Sequence, residues 1–306
     1  MKIALLGRTR ELLNAGRMLI EHGHEITLVA TARGENYYEV GPKEFEEFAR
    51  NVGANYLYGS KINNIESIEI LRDSDAEIAL SINWPILLDA NVCAAFPHGI
   101  INAHAGDLPR FRGNACPNWA ILTGEKVLGL CLHQMEGGRL DSGPVFLRDY
   151  FNLTSNTYIS EIYKWMANRI PYMFCELVNG IEKKEIKAVH QTLNTNEWLR
   201  CYPRRSDDAR IDWREDAVSI HRLIRASSKP LDGAFSFLEN KYRITIWRAD
   251  LYNHPGDFLA VPGQLMMIID NKPVFACGTG ALVLTEYSIE EAEGISMLSS
   301  LRSRLI

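Results

Sequence analysis

Short apolar segments alternate with amphipathic ones at the start of the chain. Lys2–Gly7 is apolar and ends in glycine, Arg10–His22 carries its apolar residues at helical spacing, and Glu25–Ala30 is apolar again. Further along, Ala76–Ile82 is a predominantly apolar run, as expected of a strand that helices cover on both faces. Strands that alternate with helices are typical of parallel α/β sheets. The sequence therefore predicts a Rossmann-like parallel sheet whose ligands lie outside the carboxyl ends of its strands.

The turn after the first apolar segment differs from that of a dinucleotide-binding sheet. Gly7-Arg8-Thr9-Arg10-Glu11 lacks the second and third glycines of the nicotinamide fingerprint, so a nicotinamide cofactor is not expected. Arg8 or Arg10 could contact a phosphate at this turn, although a solvated loop arginine is the simpler interpretation.

The stretch from Gly99 to Phe146 carries the residues best suited to chemistry. It delivers Asn102 and His104 to the end of a predicted buried strand, and because strand side chains alternate between faces, these two point the same way. Asp141 follows in a Gly-rich loop. An amide can donate to an oxyanion, an imidazole can accept a proton, and a carboxylate can orient or charge that imidazole. The three residue types therefore suit acyl transfer to an amine, without a Ser or Cys nucleophile.

Singly, His104 and Asp141 would be a hydrogen-bonded loop histidine and a turn residue, but their setting resembles the 10-formyltetrahydrofolate-dependent formyltransferase family. The family's catalytic strand reads Asn-x-His, which is Asn102-Ala103-His104 here. The dipeptides that follow it in the family are Leu-Pro and Arg-Gly, here Leu108-Pro109 and Arg112-Gly113. Gly106-Asp107 stands where family members often have Ser-Leu. The resemblance implies that Asn102, His104 and Asp141 are the catalytic residues.

The resemblance also implies a site for the folate donor at the end of the strand that closes with Ile82. The implied donor-binding residues are Ser81, Ile82, Asn83 and Trp84, together with Gly138, Arg139 and Leu140 of the Gly-rich loop. This strand end and that of Asn102 are expected to border one crevice. For Trp84, packing in the core is an equally good interpretation.

Six further residues are candidates for contact with the acceptor. They are Arg112, Asn114, Trp119, Tyr202, Arg204 and Arg205. Arg204 and Arg205 suit a pyrophosphate, because guanidinium groups bind phosphate oxygens bidentately. The adjacent Asp207 and Asp208 could instead neutralise them in a local ion-pair cluster.

The sequence pattern changes near residue 200. Residues 201–213 combine proline, paired arginines and paired aspartates without periodicity, which predicts a linker between a catalytic domain at 1–200 and a second domain at 214–306. Short strands with turn signals in the second domain predict an OB-like β-barrel. Ile211-Asp212-Trp213 and Pro262-Gly263-Gln264 are similar to the carboxyl-terminal domain of methionyl-tRNA formyltransferases. Both segments are also similar to the carboxyl-terminal domain in the formyltransferase half of the bifunctional polymyxin-resistance enzyme.

Composition limits the choice of partners and compartment. The net charge of −5 provides no global field that attracts nucleic acid, so no nucleic-acid partner is expected. No apolar run reaches the roughly 18 to 20 residues of a membrane span, so no membrane partner is expected. The six cysteines form no CxxC pair, which indicates reduced thiols in a cytoplasmic protein.

Three functions remain open. The favoured one is N-formylation of a nucleotide-linked amino sugar, such as the dideoxy aminohexoses of lipopolysaccharide O-antigen biosynthesis, because Asn114–Trp119 and Tyr202–Arg205 resemble the sugar-modifying members. The alternative is methionyl-tRNA formyltransferase, which shares both domains. The remote alternative is a metal-dependent hydrolase using His104, Asp141 and His133, but no HExxH motif is present and no metal is expected. For His133, a hydrogen-bonded strand-end histidine is preferred. The sequence leaves open the identity of the nucleotide and of the sugar, and whether the protein forms a homodimer.

Overall fold

A computed structural model describes residues 1–253, 256–290, 298 and 300–306 of the chain. These residues form two compact units. The first, here called the α/β unit, comprises Met1–Cys116, Val127–Asn152 and Tyr163–Tyr202. The second, the β-rich unit, comprises Pro117–Lys126, Leu153–Ile162 and Pro203–Ile306. The expected second domain at 214–306 includes positions 254–255, 291–297 and 299, which lie outside the described residues.

The elements as far as residue 201 follow the predicted alternation of strands and helices. The strands are β1 (Lys2–Gly7), β2 (Glu25–Thr31), β3 (Asn55–Tyr58), β4 (Ile78–Ile82), β5 (Ile100–His104), β6 (Arg112–Gly113), β7 (Val127–Gln134), β8 (Val145–Asn152) and β9 (Arg200–Cys201). The helices are α1 (Arg10–Glu21), α2 (Pro42–Val52), α3 (Ile65–Asp73), α4 (Ala90–Cys93), α5 (Cys116–Thr123) and α6 (Ile159–Glu182). Residues of α5 and α6 are shared between the two units.

One sheet organises the α/β unit. Its strand order is β3-β2-β1-β4-β5-β7-β8, while β6 and β9 form a separate parallel pair. The strands from β3 to β5 in that order pair in parallel, whereas β7 and β8 are antiparallel. The predicted Rossmann-like parallel sheet is therefore confirmed, with two antiparallel strands added at one edge. The order reverses between β1 and β4, which is where sheets of this kind bind ligands.

Apolar residues on both faces of the sheet explain why this part of the chain folds as it does. Alternate residues of β1 enter two different hydrophobic clusters, Ile3 on one face and Ala4 on the other. On α1, Leu12 and Leu19 lie at helical spacing and pack into the cluster of Ile3. β4 is buried along its whole length, as the apolar run Ala76–Ile82 indicates.

One predicted helix is shorter than expected. The segment Leu87–Phe96 predicts a helix, but α4 covers only Ala90–Cys93. The main chain just before it is bonded elsewhere, because the Asn63 amide donates to the main-chain oxygen of Leu87 at 2.9 Å. Likewise, the N–H of Gly138 donates to the main-chain oxygen of Leu88 at 2.8 Å. These long-range bonds hold the preceding residues out of the helix.

Among the described residues, the β-rich unit contains an antiparallel sheet and one α-helix of its own. Its elements are α7 (Ala217–Ser227), β10 (Ala234–Leu238), β11 (Tyr242–Tyr252), β12 (Leu265–Ile269), β13 (Lys272–Ala276) and β14 (Ala281–Ile289), and the strand order is β10-β11-β14-β13-β12. Ile306 exchanges main-chain hydrogen bonds with Phe237 of β10, and the N–H of Leu265 of β12 donates to Ser303. Residues 303–306 thus connect both edge strands, which gives the predicted small barrel-like domain.

Across the described parts of the chain, no helix combines the length and apolar character that crossing a bilayer requires.

Candidate active site

Three polar residues lie side by side across three strands of the sheet. Ser81 of β4 pairs with Asn102 of β5, and Asn102 pairs with His133 of β7. Directly paired residues of neighbouring strands point to the same face of a sheet. His104 lies two residues after Asn102 on β5 and shares that face. The strand end therefore presents an amide and two imidazoles together.

His133 orients the amide of Asn102. Nδ1 of His133 lies 3.0 Å from the main-chain oxygen of Gln134, and because a carbonyl can only accept, the neutral ring carries its proton on Nδ1. Nε2 is then an acceptor, and it takes a 3.3 Å hydrogen bond from Nδ2 of Asn102. This bond turns the amide NH2 of Asn102 towards the two imidazoles and uses one of its two hydrogens.

His104 is buried and held by the loop that follows β5. Its Nε2 lies 2.6 Å from the main-chain oxygen of Phe111, so the neutral ring carries its proton on Nε2. Nδ1, the remaining acceptor, lies 3.6 Å from Oδ2 of Asp141. The loop approaches the ring closely, since a Cβ on Gly106 would lie only 2.6 Å from Nε2 of His104. The basic nitrogen of His104 thus faces a carboxylate.

The Asp141 carboxylate lies between two imidazoles. One oxygen, Oδ2, accepts a 2.7 Å hydrogen bond from the N–H of Gly113 and faces His104. The other oxygen, Oδ1, lies 3.5 Å from Nε2 of His133. Asp141 has a φ of 47°, a left-handed conformation that a non-glycine residue holds only when its surroundings fix it. The Gly-rich loop is therefore shaped around the position of this carboxylate.

Burial and charge set the protonation of this group. Burial lowers the pKa of His104, and this outweighs the nearby Asp141 charge, which acts to raise it. For Asp141, burial opposes ionisation, but a positive charge on His104 or His133, together with the hydrogen bond from the Gly113 N–H, holds the carboxyl pKa well below its usual value. At neutral pH the site therefore holds a neutral imidazole beside an ionised carboxylate. Such a pair can take up a proton and stabilise the imidazolium that results.

The residues implied in folate binding lie next to this group. Ser81 Oγ and Trp84 Nε1 are buried, and neither has a hydrogen-bond partner among the described residues. Trp84 also packs beside a hydrophobic cluster, so core packing and an available N–H coexist. Asn83 has a φ of 54° and donates from Nδ2 to the Tyr38 hydroxyl at 3.0 Å. Ile82 is buried in the core. Buried donors without partners are unusual, so they are natural contacts for a polar ligand.

Arg8 is not a solvated loop arginine. Its Nε donates to the main-chain oxygen of Asn83 at 2.7 Å, and its Nη1 donates to that of Arg33 at 3.0 Å. Glu35 lies 3.4 Å from the same Nη1. Arg8 therefore ties together the ends of β1, β2 and β4, where the sheet order reverses.

The three candidate donor-binding residues of the Gly-rich loop differ in their surroundings. Gly138 is bonded to Leu88 through its N–H. Arg139 is exposed and lies 3.6 Å from Glu136. Leu140 is half-buried. Gly138 therefore anchors the loop, and Arg139 and Leu140 form its outer side.

The structure divides the candidate acceptor residues between the two units. Arg112, Asn114 and Tyr202 belong to the α/β unit, and Trp119, Arg204 and Arg205 belong to the β-rich unit. In the β-rich unit, the guanidinium of Arg204 lies 6.0 Å from the centre of the Trp119 ring. Arg204 also donates to the main-chain oxygen of Asp208 at 2.9 Å. The Asp208 carboxylate accepts from the main-chain N–H of Arg205 rather than from its side chain.

Within the α/β unit, Arg112 is buried and already held. Its Nη2 donates to Oε1 of Gln191 at 2.6 Å, and its guanidinium lies 4.2 Å from the centre of the Trp198 ring. Asn114 donates from its main chain to Cys201 at 3.2 Å. Tyr202 is 65% exposed. Of these three candidates, Asn114 and Tyr202 are therefore exposed, whereas Arg112 is not.

Sequence reasoning did not foresee several contacts of the site. It preferred a hydrogen-bonded strand-end histidine at His133; that residue is hydrogen-bonded near the end of β7, and it also contacts Asn102 and Asp141. It did not identify Gln191 or the N–H of Gly113. Asp107, at the position where the family often has leucine, accepts from Arg148 at 2.8 Å and is held against β8. Strand pairing determines these contacts, and pairing is not visible in local patterns.

Comparison with known proteins agrees with this arrangement. Residues 1–177 match the formyl transferase family model, and residues 204–304 match the model of the formyl transferase C-terminal domain. The methionyl-tRNA formyltransferase of Citrifermentans bemidjiense is 28% identical over 298 residues, covering 95% of this chain and 89% of that protein.

Two solved structures share the fold. WlaRD, a sugar 3N-formyl transferase determined in the presence of dTDP and 5-N-formyl-THF, is 17% identical with a TM-score of 0.65, over 96% of this chain and 99% of that one. HypX from Aquifex aeolicus in complex with tetrahydrofolic acid is 18% identical with a TM-score of 0.61. That match covers 95% of this chain but only 44% of HypX, so the chain spans less than half of HypX. With 177 of its 306 residues matched by the family model, the chain belongs to the formyl transferase family and is an enzyme of that class.

Proposed function

We propose that this enzyme transfers the formyl group of 10-formyltetrahydrofolate to the amine of a nucleotide-linked amino sugar. The observation that carries the proposal is the arrangement of Asn102, His104 and Asp141 at the end of β5. An amide donor, a neutral imidazole and an ionised carboxylate there are the groups that acyl transfer to an amine needs.

In the proposed reaction the neutral amine attacks the formyl carbon of the donor. A bond forms between the amine nitrogen and that carbon, and the carbonyl oxygen becomes an oxyanion that the Asn102 amide stabilises. His104 accepts the proton that the nitrogen loses, and Asp141 stabilises the resulting imidazolium. The oxyanion then collapses to a carbonyl, the bond from the formyl carbon to N10 breaks, and N10 takes up the proton that His104 had accepted, which returns the imidazole to its neutral form. The products are the N-formyl sugar and tetrahydrofolate.

The surroundings of β4 support the folate donor. Ser81 and Trp84 offer a hydroxyl and an indole N–H that have no partner in the described parts of the chain. Ser81 lies near Asn102, because it is its neighbour across the sheet. A pterin ring is flat, polar at its edge and apolar on its faces, which suits a buried indole beside isolated hydrogen-bonding groups. We assign Ser81–Trp84 and Gly138–Leu140 to the donor on this basis.

Charge supports a sugar acceptor over tRNA. Residues 204–304 contain 13 Lys and Arg and 14 Asp and Glu, a net charge of −1, and the whole chain carries −5. In the α/β unit, Arg8 and Arg10 are paired with Glu35 and Glu39. Binding of tRNA depends largely on cationic contacts to phosphates, and these charges provide no net positive field to attract it. A nucleotide-linked sugar needs only local contacts, for which Tyr202, Arg204 and Arg205 are our candidates.

Methionyl-tRNA formyltransferase is the second candidate, because relatives that match most of the chain carry that name. A metal-dependent hydrolase, the remaining alternative, finds no support: the described residues hold no group of three or more His, Cys, Asp or Glu suited to a metal ion.

The test is a donor-dependent formylation assay with a panel of acceptors. The purified enzyme is incubated with 10-formyltetrahydrofolate and dTDP-, UDP- or GDP-linked amino sugars, or with methionyl initiator tRNA. Acceptors are analysed by mass spectrometry for the gain of one CO, and tetrahydrofolate release is followed in parallel. Asn102→Ala serves as the inactive control. Formylation of a sugar and not of tRNA supports the proposal, and formylation of tRNA alone would replace it with the second candidate.

A further inference from the structure

The segment of residues 189–201 is fixed on both sides of the Asp141 loop. At one end, Val189 exchanges two main-chain hydrogen bonds of 2.8 Å with Val145, at the start of β8. At the other end, β9 pairs with β6, the strand of Gly113. Gly113 provides the N–H that holds the Asp141 carboxylate. The segment therefore contacts the structures that flank Asp141 on either side.

Between these two anchors, the side chain of Gln191 reaches the Asp141 loop. Its Nε2 donates one hydrogen bond to the main-chain oxygen of Asp141 and another to that of Gly143, each at 2.8 Å. Both hydrogens of the Gln191 amide are therefore donated to the main chain of residues 141–143. The N–H of Gly113 holds the Asp141 carboxylate, and Gln191 holds the main chain that carries it.

Arg112 determines the orientation of the Gln191 amide. Nη2 of Arg112 lies 2.6 Å from Oε1 of Gln191, and because a guanidinium can only donate, the oxygen end of the amide must face it. The NH2 end must then face the Asp141 loop. Arg112 is itself fixed by the Trp198 ring, at 4.2 Å from its centre. Trp198 thus fixes Arg112, and Arg112 fixes the Gln191 amide. The amide can therefore bond to the Asp141 loop in only one orientation.

We propose that Gln191 is a positioning residue that keeps the Asp141 carboxylate at its distance from His104. The left-handed conformation of Asp141 is costly for a non-glycine residue and needs such external support. Without the two bonds to Asp141 and Gly143, the loop relaxes and the carboxylate moves away from the imidazole. Displacements of about 1 Å at a reacting group cost up to about 100-fold in rate. This inference rests on the proposed role of Asp141 beside His104.

Two variants separate the bonds of Gln191 from each other. Gln191→Met keeps the length of the side chain and removes both donors and the acceptor. Gln191→Glu keeps an acceptor for Arg112 but places an oxygen against the carbonyl groups of Asp141 and Gly143. If Gln191 acts by holding the loop, both variants lose at least about 10-fold in kcat, while KM for donor and acceptor changes by less than about threefold. Wild-type turnover of Gln191→Glu would overturn the inference.

The pH profile distinguishes positioning from a general loss of stability. The Asp141 charge raises the pKa of His104, so a carboxylate that has moved away leaves His104 less basic. The acidic limb of kcat in Gln191→Met therefore moves to lower pH. A limb that stays in place, together with unchanged kcat, would contradict the inference. If Gln191→Met does not fold, Gln191→Glu carries the test.

Two controls complete the experiment. Gln264 also joins two main-chain groups, accepting from Val261 and donating to Leu301 at 3.1 Å each, but it lies in the β-rich unit. Gln264→Met is expected to leave kcat and its pH profile unchanged. Asp141→Asn separates the two levels of the proposal. If Asp141→Asn is inactive and Gln191→Met is fully active, only the inference on Gln191 fails; if Asp141→Asn is fully active, the proposed function of the site fails.

Discussion

The carboxylate of Asp141 lies 3.6 Å from Nδ1 of His104, although the two residues are 37 positions apart in the chain. The other ring nitrogen of His104 is bound to the main-chain oxygen of Phe111, so the carboxylate faces the nitrogen that can accept a proton. Because His104 is neutral at rest, the carboxylate has its greatest effect once the ring is charged. In the proposed reaction, this favours the charged imidazole that forms during transfer over the neutral resting ring, as catalysis requires.

The first prediction concerns the protonation of His104. Burial lowers its pKa below the ordinary value of 6.5, so the ring stays neutral at lower pH than an exposed histidine does. In ¹⁵N NMR spectra, we expect the His104 ring to titrate below pH 6.5 and its neutral form to carry the proton on Nε2. The signal is assigned by its loss in His104→Asn. A titration midpoint above 6.5 would contradict the electrostatics of the site.

The second prediction concerns His133 and its bond to Asn102. His133→Phe fills a similar volume but removes the acceptor that orients the Asn102 amide. We expect kcat to fall by about 10-fold or more, with the KM of the donor within about threefold, because orientation of an oxyanion donor matters most in the transition state. Steady-state kinetics measure both values. If kcat were unchanged and kcat/KM fell only because KM rose, His133 would instead be assigned to substrate binding.

The third prediction concerns the close approach of Gly106 to the His104 ring. A Cβ at this position would lie 2.3 Å from the main-chain oxygen of Phe111 and 2.6 Å from Nε2 of His104, so Gly106→Ala must displace one of them. We expect a loss of at least about 10-fold in kcat, since His104 loses its orienting bond. Gly41→Ala is the matched control, because its new Cβ meets only Glu44, at 3.6 Å. Equal activities of the two variants would show that the Phe111 contact is dispensable.

The fourth prediction concerns stability and acid. Burial, followed by the positive charge of Arg225, lowers the pKa of His221 to about 4. The unfolded chain takes up this proton near pH 6.5 and the folded chain only near pH 4, so stability falls as the pH drops through that window. At about 1.4 kcal/mol per pH unit, the free energy of unfolding decreases by up to about 3 kcal/mol. In urea titrations, His221→Gln should flatten this dependence; parallel curves for both proteins would refute the assignment.

Much of the framework follows from local sequence patterns. Phe45, Phe48 and Ala49 line one side of a helix predicted over Pro42–Val52, and the apolar run Val127–Gln134 predicts a strand. α2 and β7 have these bounds. That Asn102 and His104 share a face follows from the alternation of a strand. The partners of these residues could not be foreseen in the same way. The contacts of His133, Gly113 and Gln191 depend on which strands pair and in which register, and this is decided by long-range packing.

Two further differences have the same origin. The short α4 results from bonds that Asn63 and Gly138 make to the main chain before it, from distant parts of the chain. In the sequence, Asp107 stands close to His104 and could be taken for a further carboxylate of the site. In the structure, Arg148 and Tyr150 of β8 hold its carboxylate. A residue's type indicates which bonds it can make, and the fold decides which of them it makes.

The central claim is that Asn102, His104 and Asp141 together perform formyl transfer to an amine. Its most direct test is single-turnover kinetics of wild type, Asn102→Ala and Asp141→Asn, with 10-formyltetrahydrofolate and the acceptor that the wild type formylates, after circular dichroism has shown that all three are folded. We predict that each variant slows formation of the N-formyl product by about 10²- to 10³-fold. Product formation at the wild-type rate in either variant would contradict the claim.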